Sequence, residues 1–192
     1  MRGRLIVVEG LDGAGKTSAI RALEETVAVT VLKGSGSATL LGRLARATGS
    51  TMLFFLENWW VGTRYAQSAL ARGETVVLDR YWWSPATFRA PRRCERVLIA
   101  TMPHPDAIAY FTVECEERLR RLARNTENPY HRLLLEHPWM IAEREARYDA
   151  LFSSYGGRKA RIDTTEVSIF AAARSLAALV RSMRRAGRRP TA

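Results

Sequence analysis

Short apolar runs alternate with stretches of helical periodicity along the whole chain. The runs have the length and composition of buried strands, and the stretches between them have the period of helices. The predicted strands are 5–8, 29–32, 75–78, 107–113 and 160–162. The predicted helices are 17–26, 38–48, 52–72, 86–102, 115–124, 139–152 and 166–183. This alternation predicts an α/β fold with helices on both faces of a five-stranded parallel sheet, and ligands beyond the C-terminal ends of its strands.

The length and composition favour a single domain. A chain of 192 residues, 47% of them hydrophobic, can bury a sizeable core, and no repeat or low-complexity linker divides it. We therefore expect one domain over 1–183, followed by a basic tail over 184–192. No apolar run approaches the roughly 20 residues of a membrane span. The first strand begins almost at once, which leaves no room for a signal peptide, and Cys94 and Cys115 lack C-x-x-C spacing. These features predict a cytoplasmic protein with reduced thiols and no membrane contact.

The charge is strongly positive. The formal net charge is +11, and only three of the 30 basic residues are lysines. Such an excess is typical of nucleic-acid binding. Part of it lies in the C-terminal run 181–189, which has the composition of a helix end or tail, and much of the rest lies between residues 118 and 132. The charge alone therefore leaves nucleic acid and small phosphorylated ligands both open.

Residues 10–17 read G-L-D-G-A-G-K-T, which fills every fixed position of the P-loop pattern G-x-x-x-x-G-K-[ST]. Glycines let the backbone N–H groups of such a loop point at a polyphosphate, and the following helix adds its positive N-terminus. Lys16 is expected to reach the β- and γ-phosphates, and the Thr17 hydroxyl to face Mg²⁺. The predicted nucleotide-binding residues are Gly10, Asp12, Gly13, Ala14, Gly15, Lys16, Thr17 and Ser18.

A second acidic position follows the third predicted strand. Asp79 ends the run Val76-Val77-Leu78 and would lie beside the P-loop in a parallel sheet. A carboxylate at that place can hold Mg²⁺, so Thr17 and Asp79 are the predicted metal-side residues. The alternative is a carboxylate that caps a turn.

Four segments carry a resemblance to a known family. They are residues 6–17, residues 69–81 with Asp79-Arg80-Tyr81, residues 105–111 with the basic helix 116–121, and residues 161–164. Together, over nearly the whole chain, they resemble the thymidylate kinase family of P-loop nucleoside-monophosphate kinases. The resemblance implies a three-layer P-loop NTPase fold with an arginine-bearing lid at about 121–137. It also implies ATP and Mg²⁺ as cofactors and transfer of the γ-phosphate to a nucleoside monophosphate, with dTMP as the first candidate.

The resemblance further implies roles for single residues. Asp79 would serve the reacting phosphates, Arg80 would grip the acceptor phosphate, and Asp12 would lie near the acceptor sugar. Lid arginines would close over the transferring group, with Arg132 as a further candidate; the alternative for each lid arginine is a solvated helix face. The implied catalytic residues are Lys16, Asp79, Arg80, Arg121 and Arg124.

The acceptor side departs from the family pattern. Lys33 stands where an arginine is expected, and Asn58 and Trp59 stand where a base-contacting arginine is expected. Pro85 and Phe88 lack the polar groups that the family often has there. Trp59, Trp60, Trp82 and Trp83 either stack on a flat ligand or pack a helix on the sheet. The predicted acceptor-binding residues are Asp12, Lys33, Phe55, Trp59, Arg80, Ser84 and Phe88.

These departures leave the acceptor open. A kinase of another small phosphorylated or hydroxylated metabolite is the first alternative. A nucleotide-dependent nucleic-acid-binding protein is the second, and the chain length disfavours it because helicase-like motors need a second domain. We expect a small-molecule acceptor as the partner and leave a homodimer open beside a monomer.

Overall fold

The computed structural model describes residues 2–186, in which five parallel strands form one sheet in the order β2-β3-β1-β4-β5. The strands are Arg4–Glu9 (β1), Thr30–Lys33 (β2), Thr75–Asp79 (β3), Ala107–Thr112 (β4) and Arg158–Asp163 (β5). Each predicted strand is present, and no end differs by more than two residues. The prediction of a parallel α/β sheet is confirmed.

The central strand β1 is buried on both faces. Ile6 and Val8 point into one apolar cluster, and Leu5 and Val7 point into a second cluster on the other side of the sheet. Successive side chains of a strand face opposite ways, so a continuous apolar run suits a strand covered on both sides. The apolar run that predicts this strand therefore also suits its position in the middle of the sheet.

Helices cover both faces of the sheet. They are Lys16–Glu24 (α1), Leu40–Thr48 (α2), Thr51–Trp60 (α3), Gln67–Ala71 (α4), Trp83–Ala86 (α5), Arg93–Thr101 (α6), Cys115–Ala123 (α7), Pro129–Glu136 (α8), Trp139–Ser154 (α9) and Ile169–Ala186 (α10). A π-helical segment, Val61–Ala66, joins α3 to α4, so the predicted helix 52–72 is continuous but locally unwound.

One helix prediction is wrong, and one helix was missed. The predicted helix 86–102 is split into α5 and α6, and Pro91 lies in the break, where its missing N–H cannot extend a helical hydrogen-bond ladder. The helix α8 was not predicted within the lid segment. Asn128 caps α8 by accepting a hydrogen bond from the Tyr130 N–H, and Pro129 occupies the first turn.

The strand register brings the chemistry-bearing ends together. Val8 of β1 pairs with Asp79 of β3, and Asp79 also pairs with Lys33 of β2. On the other side, Glu9 of β1 pairs with Tyr110 of β4. The C-terminal ends of these strands therefore meet at one edge of the sheet, where the P-loop leaves β1.

The structure bears on the predicted C-terminal tail, on membrane spans and on the two cysteines. Residues 187–192, most of the predicted tail, lie outside the described residues, and the division into one domain and a tail stays a prediction. Between residues 2 and 186, no helix combines the length and apolar character needed to cross a membrane. Cys94 and Cys115 are free and exposed.

Candidate active site

The P-loop joins β1 to α1 through glycines with left-handed backbone conformations. The φ angles of Gly10, Gly13 and Gly15 are 138°, 81° and 76°. At position 10 a Cβ atom would lie 2.3 Å from the carbonyl oxygen of Phe111. Only glycine combines this φ with so close an approach to β4. The loop therefore has the backbone that its sequence pattern predicts.

Lys16 is held inside this loop. Its side chain is 5% exposed, and Nζ donates a hydrogen bond to the carbonyl oxygen of Leu11 at 2.6 Å. Burial, and then the charge of Arg80, lower the pKa of Lys16 to about 7, while Asp12 and Asp79 oppose the shift. A polyphosphate bound beside Nζ would oppose this shift and favour the charged form of Lys16.

This electrostatic arrangement predicts that ATP binding takes up protons at alkaline pH. Lys16 is mostly uncharged above pH 7 in the empty protein, and a bound triphosphate would restore its proton. The Kd for ATP should rise about tenfold per pH unit above 7 and stay level below it. Isothermal titration calorimetry in buffers of different protonation enthalpy, between pH 7.5 and 9.5, measures the uptake. A proton uptake near zero at pH 8.5 would contradict the expectation.

Thr17 and Asp79 form the predicted metal-side pair. The Thr17 hydroxyl donates to Oδ2 of Asp79 at 3.0 Å. The other carboxylate oxygen, Oδ1, is buried and has no hydrogen-bond partner among residues 2–186. A carboxylate oxygen left free beside a hydroxyl is the oxygen-rich environment that Mg²⁺ prefers. These residues fit the metal that the sequence predicted.

Arg80 has a strained backbone that directs its side chain at the P-loop. It has a φ of 68°, the one positive value for a non-glycine residue among those described. Such a conformation costs about 1–3 kcal/mol and is often found at functional sites. The guanidinium donates to Oδ1 of Asp12 at 2.5 Å and to the carbonyl oxygen of Gly10 at 3.2 Å. The structure therefore brings together Arg80 and Asp12, two of the predicted acceptor-side residues.

The Asp12–Arg80 pair is fully charged. Burial raises the pKa of Asp12, but the positive charges of Arg80 and Lys16 outweigh it and hold that pKa below its usual range. Burial likewise opposes the charge of Arg80, but Asp12, Tyr148, Asp79 and Glu9 together outweigh it and raise the pKa of the guanidinium. A charged fork close to the phosphate loop can bind a second phosphate.

Glu9 is a buried residue of this site that the sequence predictions missed. Its carboxylate accepts hydrogen bonds from the Tyr81 N–H at 2.8 Å, the Ser84 hydroxyl at 2.7 Å and the Tyr148 hydroxyl at 3.1 Å. Burial raises the pKa of Glu9 to about 7, although these hydrogen bonds and Arg80 lower it. Glu9 thereby ties β1 to the turn after β3 and to α9. An acidic residue at the end of an apolar strand was the available signal.

The predicted acceptor residues fall into two groups. Lys33 is exposed at the C-terminal end of β2, and Phe88 is 40% exposed. Phe55 is completely buried, and the Trp59 indole N–H donates to the Thr101 hydroxyl of α6 at 3.0 Å. Phe55 has no accessible surface, which fits a packing residue. Trp59 is half-buried and joined to a neighbouring helix, and acceptor binding by Trp59 stays a prediction.

Ser84 is predicted to bind the acceptor, and that role stays a prediction. It is buried, and its hydroxyl is bonded to Glu9 and lies 3.4 Å from Nη1 of Arg80. Ser84 thus lies behind Arg80 and supports it. Among the tryptophans, Trp83 is buried in the core against Tyr155, whereas Trp60 is 41% exposed.

The lid arginines differ in their contacts. Arg121 donates to the carbonyl oxygens of Gly13 at 3.1 Å and Thr164 at 2.6 Å, which places it on the P-loop. Arg124 is exposed where α7 ends, and its side chain makes no hydrogen bond to the described part of the chain. Arg118 was not predicted; it is buried, donates to the Asp12 carbonyl oxygen at 2.8 Å and pairs with Glu145.

The chain is similar to known proteins. The sequence model of the thymidylate kinase family matches residues 8–175. Human thymidylate kinase is 26% identical over 140 residues, which cover 62% of this chain and 66% of that protein. Thymidylate kinase of Akkermansia muciniphila is 29% identical over 144 residues, which cover 66% of this chain and 70% of that protein. The matched region thus spans about two thirds of each curated relative.

The fold is also that of a solved structure. Thymidylate kinase from Candida albicans superposes with a TM-score of 0.71 at 17% identity, covering 95% of this chain and 93% of that one. At this identity the likeness concerns the fold.

Proposed function

Because the chain belongs to the thymidylate kinase family, we propose that it transfers the γ-phosphate of ATP to a nucleoside monophosphate, with dTMP giving dTDP. One observation carries this proposal beyond the family: Arg80, in its strained conformation, contacts the P-loop residues Gly10 and Asp12. A second phosphate bound by Arg80 would then face a triphosphate held by the P-loop. Phosphoryl transfer depends on such placement more than on covalent chemistry by the protein.

The donor side is built from the loop and the β3 terminus. The P-loop amides and Lys16 would hold the triphosphate. Thr17 and Asp79, joined at 3.0 Å, would hold Mg²⁺, which neutralises charge on the transferring phosphates when bound. The free Oδ1 of Asp79 supports this role.

The acceptor side is built from Arg80 and the lid. The Asp12 carboxylate orients the Arg80 guanidinium through an ion pair, with 2.5 Å between Oδ1 and Nη2. The rigid fork of an arginine side chain suits two oxygens of one phosphate. Arg121 already contacts the P-loop through Gly13. It would stabilise charge that develops during transfer, whereas Arg124 would need the lid to move.

A panel assay tests the proposed function. The protein is incubated with ATP and Mg²⁺ together with nucleoside monophosphates or nucleosides, and ADP formation is measured for each acceptor. The highest kcat/KM is expected for dTMP. A different best acceptor would overturn dTMP and leave the kinase reaction in place. ADP formation that no acceptor stimulates would overturn the kinase proposal as a whole.

A further inference from the structure

Arg144 on α9 is a buried cation without an acidic partner. It is 4% exposed. Its Nε and Nη2 atoms donate to the Thr87 hydroxyl at 3.1 and 2.9 Å, and Nη1 donates to the Tyr130 hydroxyl. Within residues 2–186, no carboxylate lies within ion-pair distance of this guanidinium. These contacts fix its position without a direct ion pair, and its charge acts on Asp12 only from beyond ion-pair distance.

Other buried arginines near the site are paired. Arg118 pairs with Glu145, and Arg80 pairs with Asp12. Burying a charge without a partner is costly, and structures retain such a charge where a ligand compensates it. The contrast between Arg144 and its paired neighbours points to an oxygen that comes from outside the chain.

Two aromatic rings orient the guanidinium. Its central carbon lies 3.8 Å from the centre of the Phe88 ring and 5.7 Å from that of the Tyr130 ring. Cation–π contacts stabilise the charge and leave edge N–H groups available. Phe88 is the position at which the acceptor side lacks a polar group, and Arg144 supplies N–H donors on the face of that same ring.

Arg144 lies between the acceptor side and the lid. Thr87 and Phe88 follow α5, shortly after Arg80, and Tyr130 lies in the first turn of the lid helix α8. Although burial raises the pKa of Asp12, the charges of Arg80, Lys16 and Arg144 lower it. Arg144 therefore acts on the same carboxylate that orients Arg80.

We propose that Arg144 binds an oxygen atom of the phosphate acceptor and helps to determine which acceptor is used. This inference rests on the proposed kinase function. The second N–H of Nη1 has no acceptor in the described chain and is the donor available to the ligand. The oxygen belongs to the acceptor's phosphate or to a hydroxyl or carbonyl group of its nucleoside, and ligand pairs separate these two sources.

The variants R144Q and R147Q form a matched pair. Arg147 lies on the same helix and also bonds the segment after α5, through the Thr87 carbonyl oxygen at 2.8 Å, but it pairs with Glu143. R144Q is expected to raise the Kd and KM for dTMP about 10- to 100-fold and to leave the KM for ATP unchanged. R147Q is expected to keep the wild-type Kd for dTMP.

Calorimetry with dTMP and thymidine identifies the oxygen. If R144Q weakens dTMP alone, Arg144 binds the phosphate; if it weakens both ligands equally, Arg144 binds the nucleoside. Unchanged affinity for both ligands in R144Q overturns the inference. So does equal weakening by R147Q, because Arg144 would then only pack the loop.

A second variant guards against a folding defect. R144M removes an unpaired charge, so we expect the Tm of the empty protein to be unchanged or raised while the dTMP-induced rise in Tm is lost. A lowered Tm with a full dTMP-induced rise would assign Arg144 a structural role. Failure of the proposed function is read from the wild-type protein alone: without acceptor-dependent turnover or dTMP binding there, both proposals fall.

Discussion

Replacing Lys16 with alanine is expected to lower kcat about 100- to 1,000-fold while the protein stays folded. The ammonium would follow charge on the β- and γ-phosphates into the transition state, and no other lysine can take its place. Lys33 is exposed at the end of β2, and Lys159 lies on β5. Folding should survive because the side chain donates one hydrogen bond, to Leu11, and burial already opposes its charge.

The matched control for this variant is Lys159→Ala. Lys159 also donates to backbone carbonyl oxygens, including that of Ser153 at 3.0 Å, but it is remote from the P-loop. Its replacement should leave kcat within about twofold of wild type. ADP formation, calorimetry with ATP and thermal unfolding compare the variants. Near-normal turnover by a folded Lys16→Ala protein would show that the loop does not act on the transferred phosphate.

The second large effect concerns Asp79 and Arg80, which are adjacent and expected to serve different partners. Asp79→Asn keeps the size of the side chain but removes the charge beside Thr17. It should lower kcat about 100-fold and raise the Mg²⁺ concentration needed for half-maximal rate. Arg80→Ala should chiefly raise the KM for the acceptor, because its guanidinium faces Asp12, with little effect on the Kd for ATP.

Titration of Mg²⁺, ATP and dTMP separates the two effects. Asp106→Asn is the control, since Asp106 lies at the opposite edge of the sheet and accepts hydrogen bonds from the Leu5 N–H and the Arg4 side chain, both at 2.8 Å. It should lower the Tm and leave the Mg²⁺ dependence of the rate unchanged. Equal loss of ATP affinity in Asp79→Asn and Arg80→Ala would contradict the division between them.

Sequence patterns predicted the donor side well, because that chemistry depends on short spacings. The P-loop needs glycines with particular φ angles and a lysine at the following helix start, and eight consecutive residues specify this geometry. The strand that ends at Asp79 places a carboxylate beside the loop once the sheet is parallel. The bond between Thr17 and Asp79 follows from these two local features.

Helix predictions were less accurate where several signals competed. Apolar periodicity continued through Pro91, and the predicted helix therefore crossed a break between α5 and α6. In the lid, the start of α8 was missed although Asn128 and Pro129 are good start signals. Local propensity predicts that these segments are helical. The residues at which each helix begins and ends depend on packing in the folded chain.

The sequence by itself determined the order of elements, the parallel sheet and the phosphate-binding loop, because each is encoded by neighbouring residues. Only the tertiary structure decided the acceptor side. Glu9 meets Tyr148, and Arg144 meets Phe88, from helices and strands far apart along the chain. Such contacts depend on the direction in which each side chain leaves its helix or strand. A shift of one residue along the element would turn a side chain from the site towards the core. Phe55 and Phe88 looked equivalent in sequence, and burial separated them.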